Sequence, residues 1–277
     1  MKPDDFDFLS RFLKDSSGLV LGAEKSYLLE SRLTPLVRKW KLKDLDDLVG
    51  ETRKTGNKEL RRDVVEAMTT NESFFFRDSR PFDQFRDIVL PHLLKARASS
   101  RRIRILCAAC SSGQEPYSLA MLLEESRLDL KDWQIDIIGT DISTEMLDKA
   151  RKGLYSQFEV QRGLPVKLLV KYFEQVGDRW QIASRLRERI QYRYSNLLED
   201  TSELGRFDVI FLRNVLIYFD QQTKTDVLGR ISRQLAPDGF LYLGGAETVL
   251  GVSDRLALMP GQRGIYCLKE AAKAAVG

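Results

Sequence analysis

From residue 103 onward, short apolar runs that are typical of buried strands alternate with segments of helical periodicity. The predicted strands cover residues 103–108, 133–139, 207–212 and 240–243, and the predicted helices between them cover 115–125, 143–152 and 222–235. Because neighbouring parallel strands need a long crossover connection, this alternation favours a mostly parallel sheet with helices on both faces. The sequence therefore predicts a doubly wound α/β fold.

The first eighty residues show helical periodicity and no strand-like alternation. Apolar residues recur at helical spacing from Leu29 to Trp40, and two further helices are predicted at 46–53 and 59–68. Pro35 lies inside the first pattern, so a kink or a break is expected there. These features predict a small all-helical N-terminal domain.

The predicted domain division places this helical domain at residues 1–80 and the α/β domain at 81–277. A basic, serine-containing stretch near 95–102 is the best linker candidate. A β-hairpin interrupts the alternation, so a small antiparallel β-subdomain is predicted near 167–190. Residues 188–194 either add a third strand to it or rejoin the main sheet.

Histidine and cysteine are scarce, which limits the possible chemistry: the 277 residues include one histidine and three cysteines. A Ser-His-Asp triad or a paired-histidine metal site would need His92, whose apolar neighbours predict a packing or surface role. Cys107 and Cys110 have CxxC spacing without a second pair, so they are interpreted as small core residues, with thiol reactivity left open. No metal site is predicted.

Charge and hydropathy favour a soluble cytoplasmic protein. The net charge of +4 is too small to indicate nucleic acid binding by itself. No run approaches the ~18 apolar residues of a membrane-spanning helix, and the acidic N-terminus has no apolar core of a signal peptide. Within 32–43, however, basic residues occur without an acid, which suits either an anionic partner or a solvated helix face.

Small residues and an acid follow the first two predicted strands. The turn after residue 108 contains one glycine, Gly113, so the GxGxxG fingerprint of dinucleotide binding is absent. Asp141 ends the second strand, where an acid commonly binds ribose hydroxyls. Because an acid at this position can also cap a helix, these two features leave both a nucleotide cofactor and a simple cap open.

Five segments together resemble the CheR family, the S-adenosylmethionine-dependent methyltransferases of bacterial chemoreceptors. They are TTNESFFFR at 69–77, SGQEPYS at 112–118, GTDIS at 139–143, YSNL at 194–197 and FLRNVLIYFD at 211–220. The first and last are the most specific, and the resemblance extends from about residue 5 to 268. Gln114 and Ser73 are mild departures, since an acid and a threonine are common there. The resemblance implies a Rossmann-like class I methyltransferase with an all-helical N-terminal domain and an inserted antiparallel β-subdomain.

The resemblance also implies a binding site for S-adenosylmethionine and its product, S-adenosylhomocysteine. Asp141 would bind the ribose, Glu115 would face the methionine ammonium group, and Asn196 and Leu197 would contact the adenine. The further cofactor-binding residues would be Asn71, Ser73 and Arg77 from the first domain, and Arg213 and Asn214 at a strand end.

Arg77 and Tyr218 are the predicted catalytic residues. Arg77 would orient the acceptor oxygen by its fixed donors, although it could instead pair with a neighbour. Tyr218 would lie close to the transfer site, although it could simply be packed. Asn214 could likewise cap the chain after its strand.

The implied reaction is methyl transfer to receptor glutamates, giving glutamyl methyl esters in chemotaxis adaptation. A glutamate with a pKa of about 4.3 is already ionised at neutral pH, so no general base is needed. The implied partners are the cytoplasmic methylation helices of chemoreceptors, with this chain acting as a monomer and without nucleic acid or membrane insertion. The predicted docking residues are Arg32, Arg38, Lys39 and Lys43. The tight turn at Gly177 favours binding without a receptor tether peptide.

Two other classes of function are weighed against this one. A nucleic-acid methyltransferase would suit the basic patches, but the chain lacks the Asp/Asn-Pro-Pro-aromatic motif and the Pro-Cys nucleophile. A non-catalytic cofactor-binding scaffold would not need the full set of predicted site residues. Methyl transfer to receptors, to RNA or to neither distinguishes the three.

Overall fold

The structure, a computed structural model, describes residues 2–274 and divides them between a helical unit and a unit built on two sheets. The helices are α1 (Pro3–Ser17), α2 (Ser26–Lys39), α3 (Leu45–Arg53), α4 (Lys58–Met68), α5 (Arg80–Gln84), α6 (Leu90–Ala96), α7 (Gln114–Glu124), α8 (Thr144–Lys152), α9 (Gln157–Gln161), α10 (Val166–Tyr172), α11 (Ser184–Arg187), α12 (Gln221–Gln234) and α13 (Lys269–Ala274). The strands are β1 (Arg102–Ala108), β2 (Gln134–Asp141), β3 (Leu154–Ser156), β4 (Phe173–Val176), β5 (Arg179–Ile182), β6 (Ile190–Tyr194), β7 (Phe207–Leu212), β8 (Leu235–Leu243), β9 (Leu256–Leu258) and β10 (Ile265–Leu268).

Helices α1 to α4 form the helical unit, whose core includes the fully buried Leu13, Leu29, Leu33 and Leu60. The two helices predicted at 46–53 and 59–68 are confirmed as α3 and α4. Helix α2 continues through Pro35, so the predicted break does not occur. Burial of Leu29 and Leu33 before the proline, with Leu36 and Val37 partly buried after it, stabilises the helix despite the missing backbone donor.

The main sheet has the order β6-β2-β1-β7-β8-β10-β9. Strands β6, β2, β1, β7 and β8 are parallel, and β10 is antiparallel to both of its neighbours. Along β1, Ile105 and Cys107 face one apolar core while Leu106 and Ala108 face the other, so both sheet faces are covered. The predicted α/β sheet is confirmed. Its strand order reverses between β1 and β7, where α/β proteins bind ligands at the carboxyl ends of strands.

A smaller antiparallel sheet with the order β3-β5-β4 forms the inserted subdomain. The predicted hairpin is confirmed as β4 and β5, and residues 188–194 rejoin the main sheet as β6, parallel to β2. The third strand is β3, so the small sheet begins at residue 154 rather than near 167. Three residues are too short to show a strand periodicity.

The stretch 95–102, which was the linker candidate, contains the end of α6, a turn and the first residue of β1. Arg97 fixes this turn to the sheet by bonds of 2.8 Å to Asp208 and of 2.5 and 2.8 Å to Asp238. The segment is therefore an exposed turn that is held to the sheet at Arg97, and its role as a linker stays a prediction. The boundaries 1–80 and 81–277 stay predictions, and Met1 and residues 275–277 lie outside the described residues.

The sole histidine and the CxxC cysteines are packing residues. His92 is exposed on α6, with its ring edge-on to Phe240 at 5.5 Å. Cys107 and Cys110 are buried and free, and burial raises the pKa of both thiols. No helix within residues 2–274 combines the length and the apolar character that crossing a membrane requires.

Candidate functional site

A cleft of about 1000 Å³ lies where the helical unit meets the carboxyl ends of β1, β2, β6 and β7. Its walls come from the end of α1, the segment 69–77 and the loops that follow these four strands. Every residue predicted to bind the cofactor or to act in catalysis lines this cleft. They are Asn71, Ser73, Arg77, Glu115, Asp141, Asn196, Leu197, Arg213, Asn214 and Tyr218.

The loop after β1 takes an unusual backbone path. Ala109, Ser111 and Gly113 have φ values of 56°, 50° and 91°, which place alternate residues in the left-handed region. At Gly113 a Cβ atom would come within 2.7 Å of the Tyr192 hydroxyl, so both the conformation and the packing require glycine. This path directs the backbone N–H of Ser111 toward β2.

Asp141 ends β2 and is only 6% exposed. Its Oδ2 accepts from the Ser111 N–H at 2.7 Å, and its Oδ1 accepts from the Ser143 N–H at 2.9 Å. Burial raises the pKa of this carboxyl, and the backbone N–H groups oppose that rise. The N-cap of α8 is Ser143. Asp141 is therefore not the cap of this helix but a fixed carboxylate that faces the cleft.

The segment 69–77 crosses from the helical unit onto the sheet. The Asn71 carbonyl accepts from the Ser111 hydroxyl at 2.9 Å, and Arg77 Nη1 donates to the Glu72 carbonyl at 2.8 Å. Phe75 is fully buried in the core beneath the sheet. The Asn71 amide and the Ser73 hydroxyl make no hydrogen bond within the described chain and so remain available to a ligand.

Arg213 follows β7 and connects three parts of the cleft wall. Its side chain is 2% exposed and donates to Glu115 at 2.8 Å, to Asp78 at 2.7 Å and to the Arg77 carbonyl at 2.8 Å. Burial raises the pKa of Glu115, and the positive charge of Arg213 opposes that rise. The predicted cofactor ligands Glu115 and Arg213 are therefore an ion pair in the wall of the cleft.

Asn214 has a φ of 59°, and its turn is held by Glu247, which the sequence reasoning missed. The Glu247 carboxylate accepts four backbone N–H groups at 2.6 to 2.9 Å, three from residues 214–216 and one from Gly244. The only sequence signal is an acid in the otherwise small and apolar stretch 244–250. Glu247 thus shapes the turn that carries Arg213 and Asn214.

Asn196 and Tyr218 contact the helical unit as well as the cleft. The Asn196 amide donates to the Ser16 carbonyl at 2.8 Å and accepts from the Leu198 N–H at 3.0 Å. The Tyr218 carbonyl accepts from the Val20 N–H at 3.0 Å, while its hydroxyl has no hydrogen-bond partner in residues 2–274. One amide hydrogen of Asn196 and the phenol of Tyr218 therefore remain available in the cleft.

Glu66 of α4 is a second residue that sequence reasoning missed. It accepts from the Ser143 and Thr144 hydroxyls at 3.0 and 2.7 Å and from the Glu145 N–H at 3.3 Å. A carboxylate at the N-terminus of α8 is favourable because it complements the helix dipole and binds unpaired donors. Glu66 therefore fixes the helical unit to the loop that follows Asp141.

The predicted docking residues lie outside the cleft lining, and their side chains have different partners. Arg32 donates to the carbonyls of Met68 and Thr69 at 2.7 and 3.0 Å and to the Thr70 hydroxyl at 3.2 Å. The donors of Arg32 therefore hold the start of the segment 69–77, and its role in docking stays a prediction.

Of the other predicted docking residues, one is paired with an acid. Lys39 pairs at 2.8 Å with Asp63 of α4, which is distant in sequence. Arg38 and Lys43 are exposed, and their side chains have no partner within the described residues. These two remain the free cations of the predicted docking face.

The chain matches two family models along almost its whole length. Residues 4–69 match the CheR methyltransferase all-alpha domain, and residues 71–265 match the CheR methyltransferase SAM binding domain. Chemotaxis protein methyltransferase 1 of Pseudomonas aeruginosa is 42% identical over 267 residues, covering 94% of this chain and 96% of the relative. The Vibrio cholerae protein of the same name is 43% identical over 264 residues and 94% of each chain. The chemotaxis protein methyltransferase of Borreliella burgdorferi is 34% identical over 266 residues and 92% of each chain.

Proposed function

Because the chain belongs to the CheR family of S-adenosylmethionine-dependent chemotaxis methyltransferases, we propose that it methylates glutamate side chains of chemoreceptors. The product would be a glutamyl methyl ester, formed in chemotaxis adaptation. The observation that carries this proposal is the cleft in which all the residues predicted to bind the cofactor or to act in catalysis meet. We further propose a cytoplasmic monomer that does not bind nucleic acid.

The residues of the cleft fit S-adenosylmethionine. Asp141 offers an oriented carboxylate to ribose hydroxyls, Glu115 offers negative charge to an ammonium group, and Leu197 and the free Asn196 donor suit an adenine. When bound, this cofactor supplies an electrophilic methyl group on a sulfonium.

The chain's own residues then need only to orient the acceptor and exclude water. A glutamate acceptor is an anion at neutral pH, so no general base is required, and His92 lies outside the cleft lining. Arg77 uses one nitrogen on the Glu72 carbonyl and keeps its other donors for the acceptor carboxylate. The Tyr218 hydroxyl can donate to the same carboxylate. The acceptor oxygen gains the methyl group and loses its charge, so no proton has to move.

The test is label transfer from methyl-labelled S-adenosylmethionine. Receptor cytoplasmic fragments, the same fragments with acceptor glutamates changed to glutamine, and RNA are compared side by side. We expect label only in the glutamate-containing fragment, released as methanol by mild base. Label in RNA would support the nucleic-acid alternative, and cofactor binding without any transfer would support the non-catalytic scaffold.

A further inference from the structure

A second cleft lies beside the first, at the carboxyl end of β8. It is an open cleft lined by Arg80 at the start of α5, by Gly244 and Gly245 directly after β8, and by Arg263. Arg213 lines both clefts. Because β7 and β8 are neighbours in the sheet, the two clefts open side by side along one edge.

The lining of this second cleft carries three arginines, Arg80, Arg213 and Arg263, against two acids, Asp78 and Glu247. Arg213 is shared between Asp78 at 2.7 Å and Glu115 at 2.8 Å, and the Glu247 carboxylate is bound by four backbone N–H groups. Arg80 and Arg263 are exposed, and neither bonds to an acid among residues 2–274. Two unpaired guanidinium groups in a concave site favour an anionic ligand, above all one with carboxylates.

We propose that Arg80 and Arg263 bind carboxylate side chains of the substrate helix that lie one or two turns from the glutamate being methylated. This binding mode rests on the proposed function, in which the first cleft receives the acceptor glutamate beside Arg77 and Tyr218. Residues three, four or seven apart share one helix face. An acidic helix along this edge of the sheet therefore places its acceptor over one cleft and further carboxylates over the other.

This second cleft makes the enzyme sensitive to the charge of the residues that flank the acceptor. A flanking glutamate binds an arginine of the cleft, whereas a glutamine or a glutamyl methyl ester has no charge to offer. A receptor helix with unmodified neighbours is then the better substrate, and each methylation weakens binding at the next site. The selectivity lies in substrate binding, because Arg80 and Arg263 do not line the cleft of the transfer site.

The test uses the full chain and two receptor fragments with the same acceptor glutamate. In one fragment the acidic residues within two turns of the acceptor are kept, and in the other they are changed to glutamine. The KM and kcat for each fragment are measured for the wild type, Arg80→Gln, Arg263→Gln and the double variant. Arg127→Gln is the matched control, because Arg127 is exposed and unpaired within the described chain but follows α7, at the opposite edge of the sheet. Affinity for S-adenosylhomocysteine, measured by calorimetry, reports on the first cleft.

We expect the double variant to raise the KM for the acidic fragment about fivefold, as the loss of two partly exposed ion pairs predicts. Its KM for the glutamine fragment, its kcat and its S-adenosylhomocysteine affinity should stay within about twofold of wild type. An unchanged KM ratio between the two fragments, an equal rise in Arg127→Gln, or a loss of S-adenosylhomocysteine affinity would overturn the proposal. If the wild type forms no methyl ester on either fragment, the proposed function itself fails, which is a different result.

Discussion

Asp141 combines two roles that substitution can separate, a structural one and a predicted ribose-binding one. In the structure its two oxygens accept the N–H groups of Ser111 and Ser143 at 2.7 and 2.9 Å, at 6% exposure. Leaving a buried donor unpaired costs about 1–3 kcal/mol. Asp141→Ala leaves both donors unpaired and should lower the free energy of unfolding by about 2–6 kcal/mol. Asp141→Asn keeps one acceptor oxygen and should lower it by about 1–3 kcal/mol.

Asp141→Asn is therefore the variant in which cofactor binding can be measured on a folded protein. A hydrogen bond to a charged group contributes about 1.5–3 kcal/mol. Replacing the carboxylate by an amide should thus raise the dissociation constant of S-adenosylhomocysteine about tenfold or more. The assay is calorimetric titration, with urea unfolding of the cofactor-free protein beside it. Asp178→Asn, an exposed acid in the β4–β5 turn, is the matched control and should change neither quantity.

One pair of results would refute the ribose-binding role of Asp141. If Asp141→Asn loses stability as calculated but binds S-adenosylhomocysteine as tightly as the wild type, the carboxylate only holds the two loops together. The hydrogen bonds of Asp141 would then be confirmed, and the role that the family resemblance gives it at the ribose would be wrong.

Three further predictions follow from other buried contacts. Glu247→Gln leaves two of four backbone donors without an acceptor and should lower the free energy of unfolding in urea by about 2 kcal/mol or more. Arg77→Lys keeps the positive charge but loses the rigid set of guanidinium donors that would orient the acceptor. In the methyl-transfer assay kcat should fall about tenfold, while the affinity for S-adenosylhomocysteine measured by calorimetry should stay nearly unchanged. Arg32→Met should weaken both stability and S-adenosylhomocysteine affinity, whereas Lys39→Met should leave both close to wild type in the same two measurements.

The layout of the fold could be predicted because its signals are local. A buried parallel strand is a short apolar run between turns, and the hairpin at Gly177 carries its own turn signal. Asp141 could be singled out as a candidate from its position, because strand ends of an α/β sheet meet at one edge, although its position left a simple helix cap equally open. The strand β3 was missed because it is defined by pairing with residues 179–181 and not by its own three residues.

The contacts that build the site could not be predicted in the same way, since they join residues far apart in the chain. Glu247 binds backbone donors some 33 residues earlier, and Glu66 binds hydroxyls 77 and 78 residues later. Neither acid belongs to a spacing pattern, because a backbone N–H group can donate to a carboxylate whatever side chain its own residue carries. Only the resemblance brought Arg213 into the predicted site, and its partners Glu115 and Asp78 became visible in the folded chain.

Arg32 and Lys39 show how far helical spacing can support an inference about docking. Seven residues apart, both lie on one side of α2, yet Arg32 is bonded to two carbonyls at the end of α4 and to Thr70. Helix ends leave carbonyls without partners, and the guanidinium fork satisfies two of them at once. Because Thr69 and Thr70 line the first cleft, removing Arg32 should disturb the cofactor as well as the fold. Lys39 is 62% exposed beside Asp63, and such a pair contributes about 0–1 kcal/mol, so its loss should affect receptor binding alone. If Arg32→Met and Lys39→Met raise the receptor KM equally and both leave S-adenosylhomocysteine affinity unchanged, Arg32 is a docking residue after all.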